Sequence, residues 1–208
     1  GNTGSDAMTI GVPGNTPYLI TVGATSDNYT PEDPNDDFVT SFSSAGPTYE
    51  AYIKPEIVAP GSRIQGLMGE DSYIRQQYAL YEDVDSIEYD YFELSGTSQS
   101  TAVMSGVVAL MLQADPNLTP NDIKCRLIET ARIATNDAGE LAYSIFQQGA
   151  GLVDAMAAIN STESGCANVG LSIRNELEED EHYFGPVQQL SENGAFYIPG
   201  LESLSWSG

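Results

Sequence analysis

Apolar positions along the chain fall into runs of different period. Tyr18 to Ala24 is rich in β-branched residues and poor in polar ones, as a strand buried in a parallel sheet is. Ile57-Val58-Ala59 reads as a second, short buried strand that Pro60-Gly61 stops. After Ser98 no proline or charge intervenes before Asp115, and the run contains Val107-Val108-Ala109-Leu110-Met111-Leu112, which predicts a long buried helix. A further helix is predicted from Thr119 as N-cap and Pro120 at the first helical position, with Ile123, Leu127, Ile128 and Ala131 on one apolar face. Cys125 falls two residues after Ile123, off that stripe.

Between these runs the chain is polar. Residues 1–16 read as loop, and Asp27 to Asp37 as an exposed loop with two prolines. Residues 66–93, dense in Tyr, Glu and Asp, read as a polar hairpin with exposed tyrosines. Asn175 to Glu181 is an acidic run inside the last segment, 161–208, which is expected as short strands or an extended tail lying on the domain, or a linker.

A length of 208 residues is enough for one core-forming domain. The chain carries 7 Lys and Arg against 30 Asp and Glu, a formal charge of -23. Such a charge repels phosphates, which argues against nucleic acid or an anionic membrane as partner. With 41 % hydrophobic residues and twelve tyrosines, disorder does not account for the acidity. A solvated acidic surface does, and it suggests secretion into salty water, where screening removes the self-repulsion. No stretch is long enough to be a transmembrane helix.

Two cysteines, Cys125 and Cys166, cannot make a four-ligand zinc site alone. In a secreted protein they are expected to form one disulfide that pins the last segment to the helix of the 120s. Asp27, Glu32, Asp33, Asp36 and Asp37 are candidate ligands for a structural calcium ion, although they lack the spacing of a calcium loop and a plain acidic loop is the simpler expectation. His182, the only histidine, sits among acids and reads as a surface residue. Asn28, Asn117 and Asn160 match the short glycosylation pattern, which recurs by chance.

The candidate chemistry lies in Leu94-Ser95-Gly96-Thr97-Ser98-Gln99-Ser100, a small-residue turn feeding the long helix. It puts Ser98 in the first helical turn, where unpaired N–H groups and the helix dipole stabilise developing anionic charge. A serine at this place also serves simply as a helix cap. Gly96-Thr97-Ser98, with the small residues on to Gly106, resembles the nucleophile motif of the subtilisin-like serine peptidases, in which Ser98 would be the catalytic serine. Gly1-Asn2-Thr3-Gly4 is similar to the loop of that family whose asparagine helps form the oxyanion hole, a role that falls to Asn2. The segments 17–24, 42–47, 54–61 and 148–155 resemble further family segments in the same order, so the resemblance covers about residues 1 to 160.

The resemblance implies an α/β fold with a mostly parallel sheet flanked by helices, of which this chain provides the C-terminal half of the catalytic domain over 1–160, followed by an extension over 161–208. It implies a serine endopeptidase acting on polypeptides, with Ser98 and Asn2 as the site residues present. The family's proline and histidine after the serine motif are replaced by Ala102 and Val103, which removes no catalytic group. The Asp and His of the triad precede the oxyanion asparagine in the family. They are therefore expected on an N-terminal fragment of the same peptidase, a partner that would cover an apolar sheet edge. The alternative is a non-catalytic binding or scaffold module derived from the same family. A different hydrolase using Ser98 with local carboxylates ranks last, because no base stands at sensible spacing. The acidity itself predicts that the thermal midpoint rises between about 0.1 M and about 1 M NaCl, over which the screening length falls from ~10 Å to ~3 Å. Calorimetry finding the protein no less stable at low salt would contradict the saline habitat.

Overall fold

The computed structural model describes residues 1–33, 35–83 and 91–208. Strand β1 (Val22–Ser26) is buried throughout, and it pairs antiparallel with β2 (Phe38–Val39) and parallel with β3 (Ile57–Pro60). The strand predicted from Tyr18 begins four residues later than its hydrophobicity suggests. Pro17, Leu19 and Thr21 instead spend backbone groups on charged side chains: Lys124 Nζ donates to Pro17 O (2.6 Å) and Leu19 O (3.1 Å), and the Thr21 N–H donates to Glu56 Oε2 (2.8 Å). At the middle of β1, Ala24 O accepts from Thr40 N and the Ala24 N–H donates to Ser43 Oγ.

The α/β class holds, but most of the described pairings are antiparallel. Parallel character rests on β1 and β3, continued by a single bridge from Val58 to Leu152. The segment leading to Ser98 forms β4 (Ile64–Leu67), β5 (Glu82–Asp83) and β6 (Tyr91–Leu94), a separate antiparallel sheet in the order β4-β6-β5 with the short helix α1 (Tyr73–Gln77) in its connection. The acidic stretch 84–90 of the predicted hairpin lies outside the described residues.

Helix α2 (Thr97–Ala114) lies on β1 and β3. Its buried residues Thr97, Ser100, Met104, Val107 and Met111 recur at the spacing of one helical face, and they close on Val22, Ile57 and Ala59. The remainder of the helix does not match the predicted full burial. Ala102, Gly106, Ala109 and Leu110 are exposed, Leu110 at 49 %, because α2 meets the sheet on one side only.

Helix α3 (Pro120–Thr130) starts where the sequence predicts. Thr119 Oγ1 accepts from the Asp122 N–H and the Asp122 carboxylate accepts the Thr119 N–H, which closes a capping box. Ile123 and Leu127 enter the core, and α5 (Ala155–Asn160) packs against both α2 and α3, the four-residue α4 (Ile145–Gln148) coming between α3 and α5 in the chain. Cys125, off the stripe, is nonetheless fully buried. It is bonded to Cys166 at a Cα separation of 5.2 Å, and the 163–168 segment covers it. That segment is held further by Arg126 Nε donating to Glu163 O (3.2 Å) and Asn168 Nδ2 donating to Asn121 Oδ1 (2.9 Å). A cross-link over 41 residues is worth roughly 4 kcal/mol in the chain-entropy estimate.

Beside the disulfide lies a buried charge cluster that hydrophobic patterning does not signal. Glu56 Oε1 accepts from both Lys54 Nζ and Lys124 Nζ, the latter at 2.6 Å, and Lys54 is only 1 % exposed. Removing the Glu56 carboxylate would leave both ammonium groups buried without a counter-charge, at a cost of about 3–5 kcal/mol. Burial pushes the Lys54 ammonium down from 10.5 to about 8, a drop that Glu56 opposes and Lys124 reinforces. Below pH 8 the lysine is protonated whether folded or not. Between about 8 and 10.5 the folded side chain has lost its proton while the unfolded one keeps it, so stability rises with pH in that window. From pH 7.5 to 9.5 the protein is therefore expected to gain on the order of 1–2 kcal/mol relative to Lys54→Met, read from urea midpoints.

Candidate active site

Ser98 stands exposed on the first turn of α2, whose N-cap is Gly96 and not a serine. The turn is positioned from below by the end of β3. Gly61 O accepts the Gly96 N–H at 2.7 Å, while the Gly61 N–H donates back to Thr25 O of β1 at 3.0 Å. A Cβ on Gly61 would sit 2.9 Å from both Gly96 O and the Ala24 Cβ and would run into Ser100 Oγ, so this approach requires glycine. From the other side the Arg63 N–H donates to Ser95 Oγ at 2.8 Å.

The loop of residues 1–9 lies along the segment 42–46, which is buried from Ser43 onward. Gly4 N donates to Phe42 O, Ser44 N to Gly1 O (2.9 Å), Thr3 N to Ser44 Oγ (3.1 Å) and Thr9 N to Ala45 O (2.9 Å). This brings Asn2 to the serine turn from 95 positions away: the Thr97 N–H and the Thr97 hydroxyl both donate to Asn2 Oδ1, each at 2.9 Å. A backbone N–H can only donate, so the amide oxygen must face Thr97 and the amide nitrogen is turned away from it. Nδ2 lies 3.0 Å from where a Cβ on Gly96 would stand. Neither Asn2 Nδ2 nor the Ser98 N–H has a hydrogen-bond partner among the described residues. Two donors next to an exposed hydroxyl at a helix N-terminus are the elements an oxyanion site requires.

The two predicted site residues are thus brought together, and Thr97, which orients one of them, is the member that residue-type reasoning passed over. Its signal was its place between Gly96 and Ser98. No imidazole or carboxylate hydrogen-bonds to Ser98 Oγ among the described residues. His182 is 67 % exposed on the extension and lies 3.4 Å from Asp180.

The carboxylates of the 27–37 loop are engaged locally: Asp27 pairs with Arg63 (3.0 Å), which also lies 3.3 Å over the Tyr29 ring, and Asp36 accepts from Thr30 and Asn28. Those hydroxyl and amide bonds hold the Asp36 carboxyl below the usual carboxylate range. Among the described residues no three of His, Cys, Asp or Glu gather into a group fit to hold a metal ion.

The sequence profile described as the subtilase family matches residues 1–151, which include Asn2, Thr97 and Ser98. The chain is 44 % identical over 124 residues to the serine protease AprX of Bacillus subtilis, covering 60 % of this chain and 27 % of that protein. It is 35 % identical over 124 residues to the subtilisin-like protease SBT4.7 of Arabidopsis thaliana, covering 59 % of this chain and 17 % of the relative. Among solved structures, fervidolysin from Fervidobacterium pennivorans, a keratinolytic enzyme related to subtilisin, superposes with a TM-score of 0.54 at 28 % identity, over 72 % of this chain and 20 % of that one. The chain thus spans about a quarter or less of the length of these three relatives.

The Asn2 geometry generates a structural prediction that requires no turnover. Although Asn2 is exposed, Asn2→Ala strips the acceptor from two donors of the buried Thr97 and should cost about 1–2 kcal/mol in urea unfolding, where an ordinary surface change stays within about 0.5 kcal/mol. A cost indistinguishable from other surface substitutions would mean the pair of bonds does not hold the loop.

Proposed function

The chain belongs to the subtilase family, and on that premise we propose that it carries the nucleophile and the oxyanion donor of a secreted serine endopeptidase. The Asp and His of the triad come, in this proposal, from an N-terminal part of the same peptidase. The observation that carries the reading is the placement of Asn2, held by Thr97 with its amide nitrogen against Gly96 of the turn that carries the exposed Ser98. Ser98 Oγ attacks the carbonyl carbon of a peptide bond while the partner's His takes the hydroxyl proton and its Asp holds that ring. The carbonyl oxygen gains negative charge, and Asn2 Nδ2 and the Ser98 N–H donate to it. The proton then passes from the His to the departing amine, leaving an acyl group on Ser98 for water to remove.

The same reading explains the half-exposed α2. The face bearing Ala102, Gly106, Ala109 and Leu110 is small and apolar, suited to close contact with the part that supplies Asp and His. Polypeptide is the substrate, and the charge of -23 argues against nucleic acid or an anionic membrane as partner. No helix among the described residues is long and apolar enough to cross a membrane. One observation favours a second reading, a non-catalytic binding or scaffold module: no general base reaches Ser98 within the described residues.

A fluorophosphonate probe applied to the natural preparation, followed by intact mass and a search for a second polypeptide, separates the two. Labelling at Ser98 that disappears in Ser98→Ala, together with a polypeptide supplying Asp and His, is the expected outcome. With that partner present, Asn2→Ala should slow turnover by about 10²–10³, the cost of losing one oxyanion donor in subtilisin. A folded chain that is alone and does not label overturns the peptidase reading.

A further inference from the structure

Residues 187–208 lie outside the stretch matched by the family, yet they are docked closely against it. Gly185 N donates to Glu50 O (2.7 Å) and Val187 N to Ala51 O (3.1 Å), an approach so close that a Cβ on Gly185 would run into Ala51 O. The chain then turns through β7 (Gln188–Gln189) and β8 (Phe196–Tyr197) with Val187 and Ala195 buried, and Phe196 and Trp206 exchange both backbone hydrogen bonds at 2.7 and 2.9 Å. This arrangement delivers the Trp206 ring onto Phe146, stacked at 5.9 Å and 23°, while the Phe196 ring meets Phe146 edge-on at 6.4 Å. Phe146 is fully buried.

Phe146 is also the backbone support of the segment on which the oxyanion loop rests. Its carbonyl accepts the Gly46 N–H at 2.8 Å, and Gly46 O in turn accepts from Met8 N at 3.1 Å. Ala45 and Ser44, next in line, hold Thr9, Gly1 and Thr3 on either side of Asn2. The last residue of the segment closes the circuit directly, since a Cβ on Gly208 would sit 3.3 Å from Ala7 N. We infer that 187–208 is a strap that holds the oxyanion loop in place, with Trp206 as a positioning residue for Asn2 acting through Phe146 and the Ser44–Gly46 segment. The inference rests on Asn2 being the oxyanion donor, and it assigns to the segment beyond the family domain a part in the reaction.

Hydrogen exchange on the full chain tests the strap independently of turnover. In Trp206→Ala, amides of residues 1–9 and 44–46 should exchange about tenfold faster, while those of α3, which shares no hydrogen bond with the strap among the described residues, stay as they were. Trp206→Phe, which keeps a ring on Phe146, should restore most of the protection. Unchanged exchange at 1–9, or equal acceleration in α3, overturns the strap, the second because it reports only global loss of stability. In a preparation whose Ser98 labels, Trp206→Ala should lower kcat about tenfold with KM within about twofold, since an oxyanion donor acts in the transition state. A preparation that never labels, but whose 1–9 amides respond to Trp206, overturns the peptidase reading and leaves the strap standing.

Discussion

The pair of hydrogen bonds from Thr97 to Asn2 Oδ1 is where two distant parts of the chain become one site. One end is a loop with almost no apolar content of its own, and the other is a helix start that needs something to satisfy its first N–H groups. Each solves the other's problem. The loop gives the helix an acceptor, and the helix fixes which way the asparagine amide faces. That orientation has meaning only because the turn itself cannot shift, and it cannot because Gly61 at the end of β3 touches Gly96, Ala24 and Ser100 at once. The sheet therefore registers the serine, and the serine's neighbour registers the asparagine.

Three different forces hold this arrangement. Apolar packing joins α2 to β1 and β3 through one face of the helix. Charge acts at the other end of the sheet, where Lys54 and Lys124 donate to backbone carbonyls of the 17–19 segment and Glu56 accepts the Thr21 N–H. The disulfide then closes the 163–168 segment over that cluster, with Asn168 Oδ1 accepting from Lys124 Nζ at 3.3 Å. The apolar, uncovered side of α2 is the exception to this economy of contacts, and it lies on the same helix that presents Ser98.

The parts that could be read from the residues are those set by near neighbours. Thr119, Pro120 and Asp122 specify the start of α3 within four positions, and Pro60-Gly61 marks the end of β3 almost to the residue. Ser98 and Asn2 drew attention through short motifs that resemble those of one family, and Thr97 joins the two motifs in space. What escaped depends on segments far away in the chain. Lys124 and Cys125 look like exposed positions until the 163–168 segment covers them, and Tyr18 to Thr21 look like strand until buried lysines claim their carbonyls. The mostly parallel sheet was likewise an expectation from resemblance, whereas 64–94 and 188–197 add antiparallel pairs of their own.

Glu56 serves two ammonium groups with one oxygen, and that has a consequence for how this sequence can change over time. Losing the carboxylate strands two buried cations together, and losing either lysine alone alters the environment of the other. Losing one lysine, however, leaves a balanced carboxylate–ammonium pair, so a change can reach this interior by way of position 54 or 124, whereas position 56 is closed to a neutral side chain while both lysines remain.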